Sequence, residues 1–531
     1  MKSKIVENWL TNVKELTFTV PFCLLLLSKG QRVVHISSQG PMEQGKDIIA
    51  IDDAGRVYCY QLKCDNINSR VWAEIKAEID QLVELPPRHP SLPERVEEWE
   101  CYLVTNGGIA NPTARDIYDY SESKRSRGHR PLKTIVGSEL VADFTQFYDE
   151  FLPIDVLDLQ QFLEQYNQHG DYELDLGKFK TFFEAYFRAR HDASKQKKAE
   201  AVRASLVLCS YLLTHKYAQQ NHLEIIKAYV LLLASVYEFV EAHHLADRLW
   251  RDTERLVYEA IRLEFKQLID ELVEHPRNYV EDKYGVFSEV ILYKVRCTEL
   301  LGYLAAYTNY CALVSVEPYR PDEIEAITAK LSTQGALLGE CMVPLVVNHV
   351  ISLHGQGKDA DAAQIVVGVL ASIVLSHVGE ARGLPSPYYS LARSVEWTLG
   401  IGEKIDEGFQ WRSYTSRSLT LLATRLGLHD DLDELWRVLS RISCQEMIPA
   451  DPKDYLLWRM KKGNQADRFP DAEQSWASLV AEAEANYSDS LPPVLKDRKH
   501  FLPLLINIMP HRFNHRFVLT LFDAVKPIAK Q

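Results

Sequence analysis

The sequence predicts a molecule of two unlike parts: an α/β N-terminal domain over residues 1–152, with a mixed sheet flanked by helices, and a large all-α helical array over 153–531. Three observations predict it. Short apolar runs of strand length, punctuated by turn residues and helical stretches, fill the first part. Beyond Leu152 the strand pattern nearly vanishes and apolar residues recur at helical spacing. The chain has 531 residues, more than one domain at ~100–200 residues each.

The elements follow in order. Lys4 to Ser28 reads as helix, with Pro21 expected to kink it or end it early. Arg32 to Ile36 is a strand. Asp47 to Ile51 and Val57 to Lys63 form a hairpin, because Asp52-Asp53-Ala54-Gly55 is a turn. Trp72, Ile75, Ile79, Leu82 and Val83 give Val71 to Leu85 a helical stripe, broken by Pro86-Pro87. Cys101 to Thr105 is a buried strand ended by Asn106-Gly107-Gly108. A short helix from Thr113 to Ser121, a strand from Leu132 to Val136 and a helix capped by Ser138 complete the unit. In the second part, Val257, Ile261, Phe265, Leu268 and Leu272 make one helical stripe, and Pro321-Asp322-Glu323 is a helix start. Divisions are expected near 276–285 and 383–388. No repeat of fixed period is visible.

Composition narrows the function. Apolar residues make up 46% and charged residues 25%, ordinary for a globular chain. A net charge of -13 means that any polyanion site is a local basic patch on an acidic body. The apolar run Leu16 to Leu27 is shorter than the ~20 residues that cross a bilayer, so no membrane partner is expected. Nine scattered cysteines with no CxxC pair read as reduced thiols in a cytoplasmic protein.

The informative segment is Gly45-Lys46-Asp47 followed across the hairpin by Gln61-Leu62-Lys63. Alternation puts Gln61 and Lys63 on one face of a strand and Leu62 on the other. The hairpin brings Asp47 beside them: a carboxylate, an amide and an ammonium at one point. Phosphodiester hydrolysis uses such a set, since oxygen ligands hold a hard cation and a lysine stabilises the developing charge.

These residues resemble the nuclease core of the PD-(D/E)xK superfamily, most closely its Mrr-like restriction endonuclease branch, with Gln-x-Lys in place of Glu-x-Lys. The resemblance covers the N-terminal part only and implies a restriction-endonuclease-like fold. Thr105-Asn106-Gly107 and Ala114-Arg115 also look like this branch. By resemblance, Asp47 and Gln61 would hold Mg²⁺ (or Mn²⁺) and Lys63 would serve the nucleophile. The family adds an acid in the first helix, for which Glu7 and Glu15 are candidates, with Glu43 as an alternative. DNA is the expected partner, with RNA open to the same chemistry. Proteins of this arrangement commonly act against phage or plasmids, and residues 153–531 would then sense a trigger, recruit a protein partner or self-associate.

Other signals compete. Gly40 to Lys46 matches the start of a phosphate loop, but Asp47 stands where Ser or Thr should hold Mg²⁺. His511 and His515 lie four apart, with Arg512 where a zinc peptidase has Glu, so this segment reads as a solvated or phosphate-facing basic surface. The loop cluster Lys124, Arg125, Arg127, Arg130 and Lys133 is a candidate nucleic-acid surface. Two rival functions stand beside the nuclease: a catalytically degenerate nuclease fold that binds without cutting, and a helical-repeat scaffold in a multi-protein complex.

Overall fold

A computed structural model describes residues 2–37, 44–92, 96–148, 156–276, 290–377, 383–401, 411–447, 449, 451–459, 465–468 and 476–526. Two compact units make up the chain: residues 1–233 with 243–264, and residues 234–242 with 265–531. The expected boundary at 152 lies outside the described residues, as do 277–285 of the expected division.

The first unit opens with α1 (Lys2–Asn12) and α2 (Glu15–Ser28), then β1 (Gln31–Ile36), β2 (Ile48–Asp52), β3 (Val57–Lys63), α3 (Ser69–Glu84), β4 (Trp99–Thr105), α4 (Asn111–Ser126), β5 (Leu132–Ile135) and α5 (Gly137–Tyr148). The five strands make one mixed sheet in chain order. β1, β2 and β3 pair antiparallel as a meander, whereas β3–β4 and β4–β5 are parallel. Parallel neighbours need long crossovers, and α3 and α4 supply them.

Several local features differ from expectation. The long N-terminal helix breaks at Val13-Lys14, not at Pro21, which sits inside α2. Lys14 takes an extended backbone with ψ 163°, and α2 restarts at Glu15. Proline removes one donor, and burial of Phe18, Phe22, Leu24 and Leu25 around it outweighs that loss. α4 begins earlier and ends later than the apolar residues suggested. Proline in its first turn suits the start, and Lys124 and Arg125 suit the negative end of the helix dipole. α3 starts where Asn68 caps it, accepting from the amides of Arg70 and Val71.

Strand alternation sorts the side chains. Ile49, Val57, Cys59, Cys101 and Leu103 form a core with Trp72, Ile75, Ile79 and Leu82 of α3. On the opposite face, the Tyr60 ring meets Phe22 of α2 edge-on and stacks on Tyr102. Asp47, Gln61 and Lys63 share the parity of the α3 face.

The remainder is mostly helical, with one addition. β6 (Arg412–Ser413), β7 (Ser443–Met447) and β8 (Gln465–Arg468) form a small sheet inside the expected all-α region. The β7 residues, Ser-Cys-Gln-Glu-Met, carry no β-branched side chain, so pairing with its neighbours decides their state. Pro321 does start a helix, Pro321–Ser332. The segment from His511 to His515 is not a solvated surface. Arg512 is 1% exposed and donates to the Leu457 carbonyl, and His515 Nδ1 lies 2.7 Å from Glu446 Oε2. These are interior polar anchors, stable because each has a partner.

One helix departs from the expectation that nothing could cross a bilayer. Asp359–His377 is long and apolar enough by length and composition, with mean hydropathy 1.6. Ala362, Val366, Val369, Leu370, Ile373 and Val374 are buried on one face, packed toward helices Val343–Gly355 and Ser416–Arg425.

Candidate functional site

Asp47 lies one residue before β2 and Gln61 opposite it on β3, held by the Asp47 amide bonding the Tyr60 carbonyl at 2.9 Å. The Asp47 carboxylate accepts from Gln61 Nε2 at 2.7 Å and from the Leu62 amide at 2.6 Å, both on Oδ2. Gln61 is 3% exposed, and its buried Oε1 has no hydrogen-bond partner among the described residues. Leu62 points away into the core, fully buried.

Lys63 joins the group from the same face. Its Nζ stands 3.0 Å from Glu78 Oε2 and 3.7 Å from Glu15 Oε1. Of the two first-helix candidates and the alternative Glu43, the structure places Glu15 at Lys63. Glu7 is exposed on α1. Glu43 lies outside the described residues. Glu15 arrives because α1 breaks: Asn106, at the end of β4, donates to the carbonyls of Leu10 and Val13, while its Oδ1 accepts from the Asp65 amide. One side chain thus ties the α1–α2 junction to the loop after Lys63. This gives a physical role to the Thr105-Asn106-Gly107 segment.

Glu78 was not singled out in the sequence, where it belongs to the polar face of α3. The turn before Asp47 explains its place. Gly45 takes φ +68°, and a Cβ there would fall 2.1 Å from the Glu78 carbonyl oxygen. Only glycine permits that approach. Lys46 is buried and donates to the carbonyls of Gln44 and Gln81, so it serves as a clamp on α3 and not as a phosphate-loop lysine.

Electrostatics follow from this crowding. Burial pushes the Asp47 carboxyl up to about 7, against the pull of the Leu62 amide, and Glu15 and Glu78 add to the push. Burial also raises Glu15, opposed by Lys63 and reinforced by Glu78. Burial works against the charge on Lys63, but Glu15, Glu78 and Asp47 hold it above the ordinary lysine range. The ammonium is therefore charged.

Among the described residues, no group of three or more His, Cys, Asp or Glu side chains is arranged to hold a metal ion. The donors nonetheless suit a hard divalent cation. Mg²⁺ keeps several waters and takes one or two carboxylates, and here Asp47, Glu15 and the orphaned amide oxygen of Gln61 are oxygen donors.

The basic cluster is placed differently from expectation. Lys124 is paired with Asp80 at 2.6 Å and with Glu84. Arg130 donates to the Glu97 carbonyl and lies over the Trp99 ring. Lys133 pairs with Glu100 at 2.7 Å and sits over Tyr102, on the sheet face opposite Gln61. Arg125 stands 3.7 Å from Glu122, and Arg127 is exposed. Nearby acids thus neutralise most of the cluster.

No family model, curated protein or solved structure matches this chain.

Proposed function

We propose that the first unit is a metal-dependent nuclease of the PD-(D/E)xK type, Mrr-like, hydrolysing phosphodiester bonds in DNA. The observation that carries this reading is the convergence of Asp47, Gln61 and Lys63 on one sheet face, with Glu15 reaching the same lysine. The hairpin register joins Asp47 to Gln61 and Lys63, Glu15 comes from a distant helix, and three of the four are ionisable groups in a half-buried cluster.

Asp47, Gln61 and Glu15 would hold Mg²⁺ or Mn²⁺, which supplies Lewis acidity toward the phosphate and lowers the pKa of a bound water. Lys63, kept charged by its acid neighbours, stabilises negative charge as it grows on the phosphoryl oxygens; a permanently charged ammonium is a poor base. Gln61 donates to Asp47 and keeps its carboxylate turned to the site. The helical region regulates or recruits, and defence against phage or plasmids is the setting that the family resemblance suggests.

The test is direct. Full-length wild type, Asp47→Ala and Lys63→Met are incubated with plasmid, linear duplex, single strand and RNA, with Mg²⁺ or Mn²⁺ and with EDTA. Wild type should nick or linearise DNA only with the cation, and each variant should be slower by roughly 100-fold or more. A wild type as inert as both variants on every substrate overturns the proposal.

A further inference from the structure

The site holds more acid than the resemblance requires. Among the described residues two carboxylates pair with Lys63, and they are not equivalent: Glu78 is at hydrogen-bonding distance, 3.0 Å, while Glu15 stands off at 3.7 Å. Glu78 is also fixed by backbone. The Gly45 turn presses on its carbonyl, Gly45 would-be Cβ contact extends to the Leu82 amide at 3.3 Å, and Lys46 binds the Gln81 carbonyl. The segment that delivers Asp47 and the turn of α3 that delivers Glu78 are therefore one clamped body. Gln61, buried with an oxygen that has no partner among the described residues, is a second and independent pointer to a ligand. Three carboxyl groups, those of Asp47, Glu15 and Glu78, thus surround one ammonium.

Resting on the nuclease reading above, we infer that Glu78 is a positioning residue: it holds the Lys63 ammonium toward Asp47 and thereby leaves Glu15 to face the cation. The acid on α2 and the acid on α3 divide the work, one for the metal and one for the lysine.

The experiment uses full-length wild type, Glu78→Gln, Glu78→Asp and Glu15→Gln with three readouts. Mn²⁺ binding without nucleic acid should weaken about tenfold in Glu15→Gln and stay near wild type in Glu78→Gln. Acetylation of Lys63 by an activated ester, followed by peptide mass spectrometry, should run about threefold faster in Glu78→Gln. Plasmid cleavage by Glu78→Gln should lose kcat by 10–100-fold with KM unchanged, and Glu78→Asp should restore part of it. Unchanged Lys63 labelling in Glu78→Gln overturns the inference whether or not the protein cuts. Loss of Mn²⁺ binding equal to that of Glu15→Gln overturns it too, since Glu78 would then be a ligand. A wild type that cuts nothing, with labelling and Mn²⁺ binding as expected, defeats the nuclease reading while the division between the two acids stands.

Discussion

At the scale of single residues, the burial of Asp47 costs stability. Its carboxyl is raised to about 7 in the folded protein, against about 3.9 in an unfolded chain. Between those values the folded state carries the extra proton. Stability from this group therefore falls as pH rises from about 4 to about 7, and above that window the loss is complete, roughly 4 kcal/mol. Asp47→Asn removes the buried charge. In EDTA the variant should be more stable than wild type at pH 8, with the advantage shrinking toward zero near pH 4, as read from urea midpoints. Equal midpoints for the two proteins at pH 8 would contradict the burial argument. Activity should move the other way, because the buried carboxylate is the group that a cation would bind. Gln61 and Lys63 were visible as residues in a pattern, since period-two alternation puts them on one face. The acid that completes the group was left open among Glu7, Glu15 and Glu43, because choosing needs the place where α1 ends, and Asn106 sets that place from across the fold.

At the scale of elements, the hairpin and α3 act as one device. Gly45 is the joint: its positive φ and its contact with the Glu78 carbonyl both forbid a side chain. Gly45→Ala should cost on the order of 1–3 kcal/mol in urea unfolding and also separate α3 from Asp47. A stable Gly45→Ala protein with wild-type Lys63 labelling would show that the clamp does not set the site. Pro21 teaches the converse lesson. Its helix-breaking tendency is real, yet α2 keeps it, because a segment buried on nearly every side gains more from packing than one missing donor takes away. The chain breaks instead at Lys14, a position that local propensity does not mark. β7 is the same point for strands: no residue in it favours extension, and two neighbours impose it.

At the scale of the whole molecule, Asp47 in the first unit and three buried histidines in the second respond to acid with opposite sign. Burial lowers His349 and His500 to about 4 and His511 to about 3, all in the second unit. In the unfolded chain each titrates near 6.5. As pH falls below that value the unfolded state takes up protons that the folded state refuses, so stability from these groups is present above about 6.5 and lost on the way down to about 4. Over the same window Asp47 favours the first unit. Calorimetry between pH 7 and 5 should therefore show the transition of the second unit moving down faster than that of the first. A double variant, His349→Gln with His500→Gln, should flatten that slope. Parallel movement of both transitions, unaltered in the variant, would set this account aside.

What the sequence determined alone is the part governed by period and short range. The strand–turn–strand of residues 47–63, the helical stripe of α3 and the helical bulk of the remainder all follow from alternation, spacing and turn chemistry, which act over a few residues. Tertiary structure decided what depends on groups far apart in the chain: that Glu15 and Glu78 meet at Lys63, that Lys124 and Lys133 are taken by acids on α3 and β4, and that Arg512 and its flanking histidines are interior anchors. Charge has no period. A carboxylate or guanidinium reads the same in sequence whether it faces water, a partner or a ligand, and only packing assigns its neighbour.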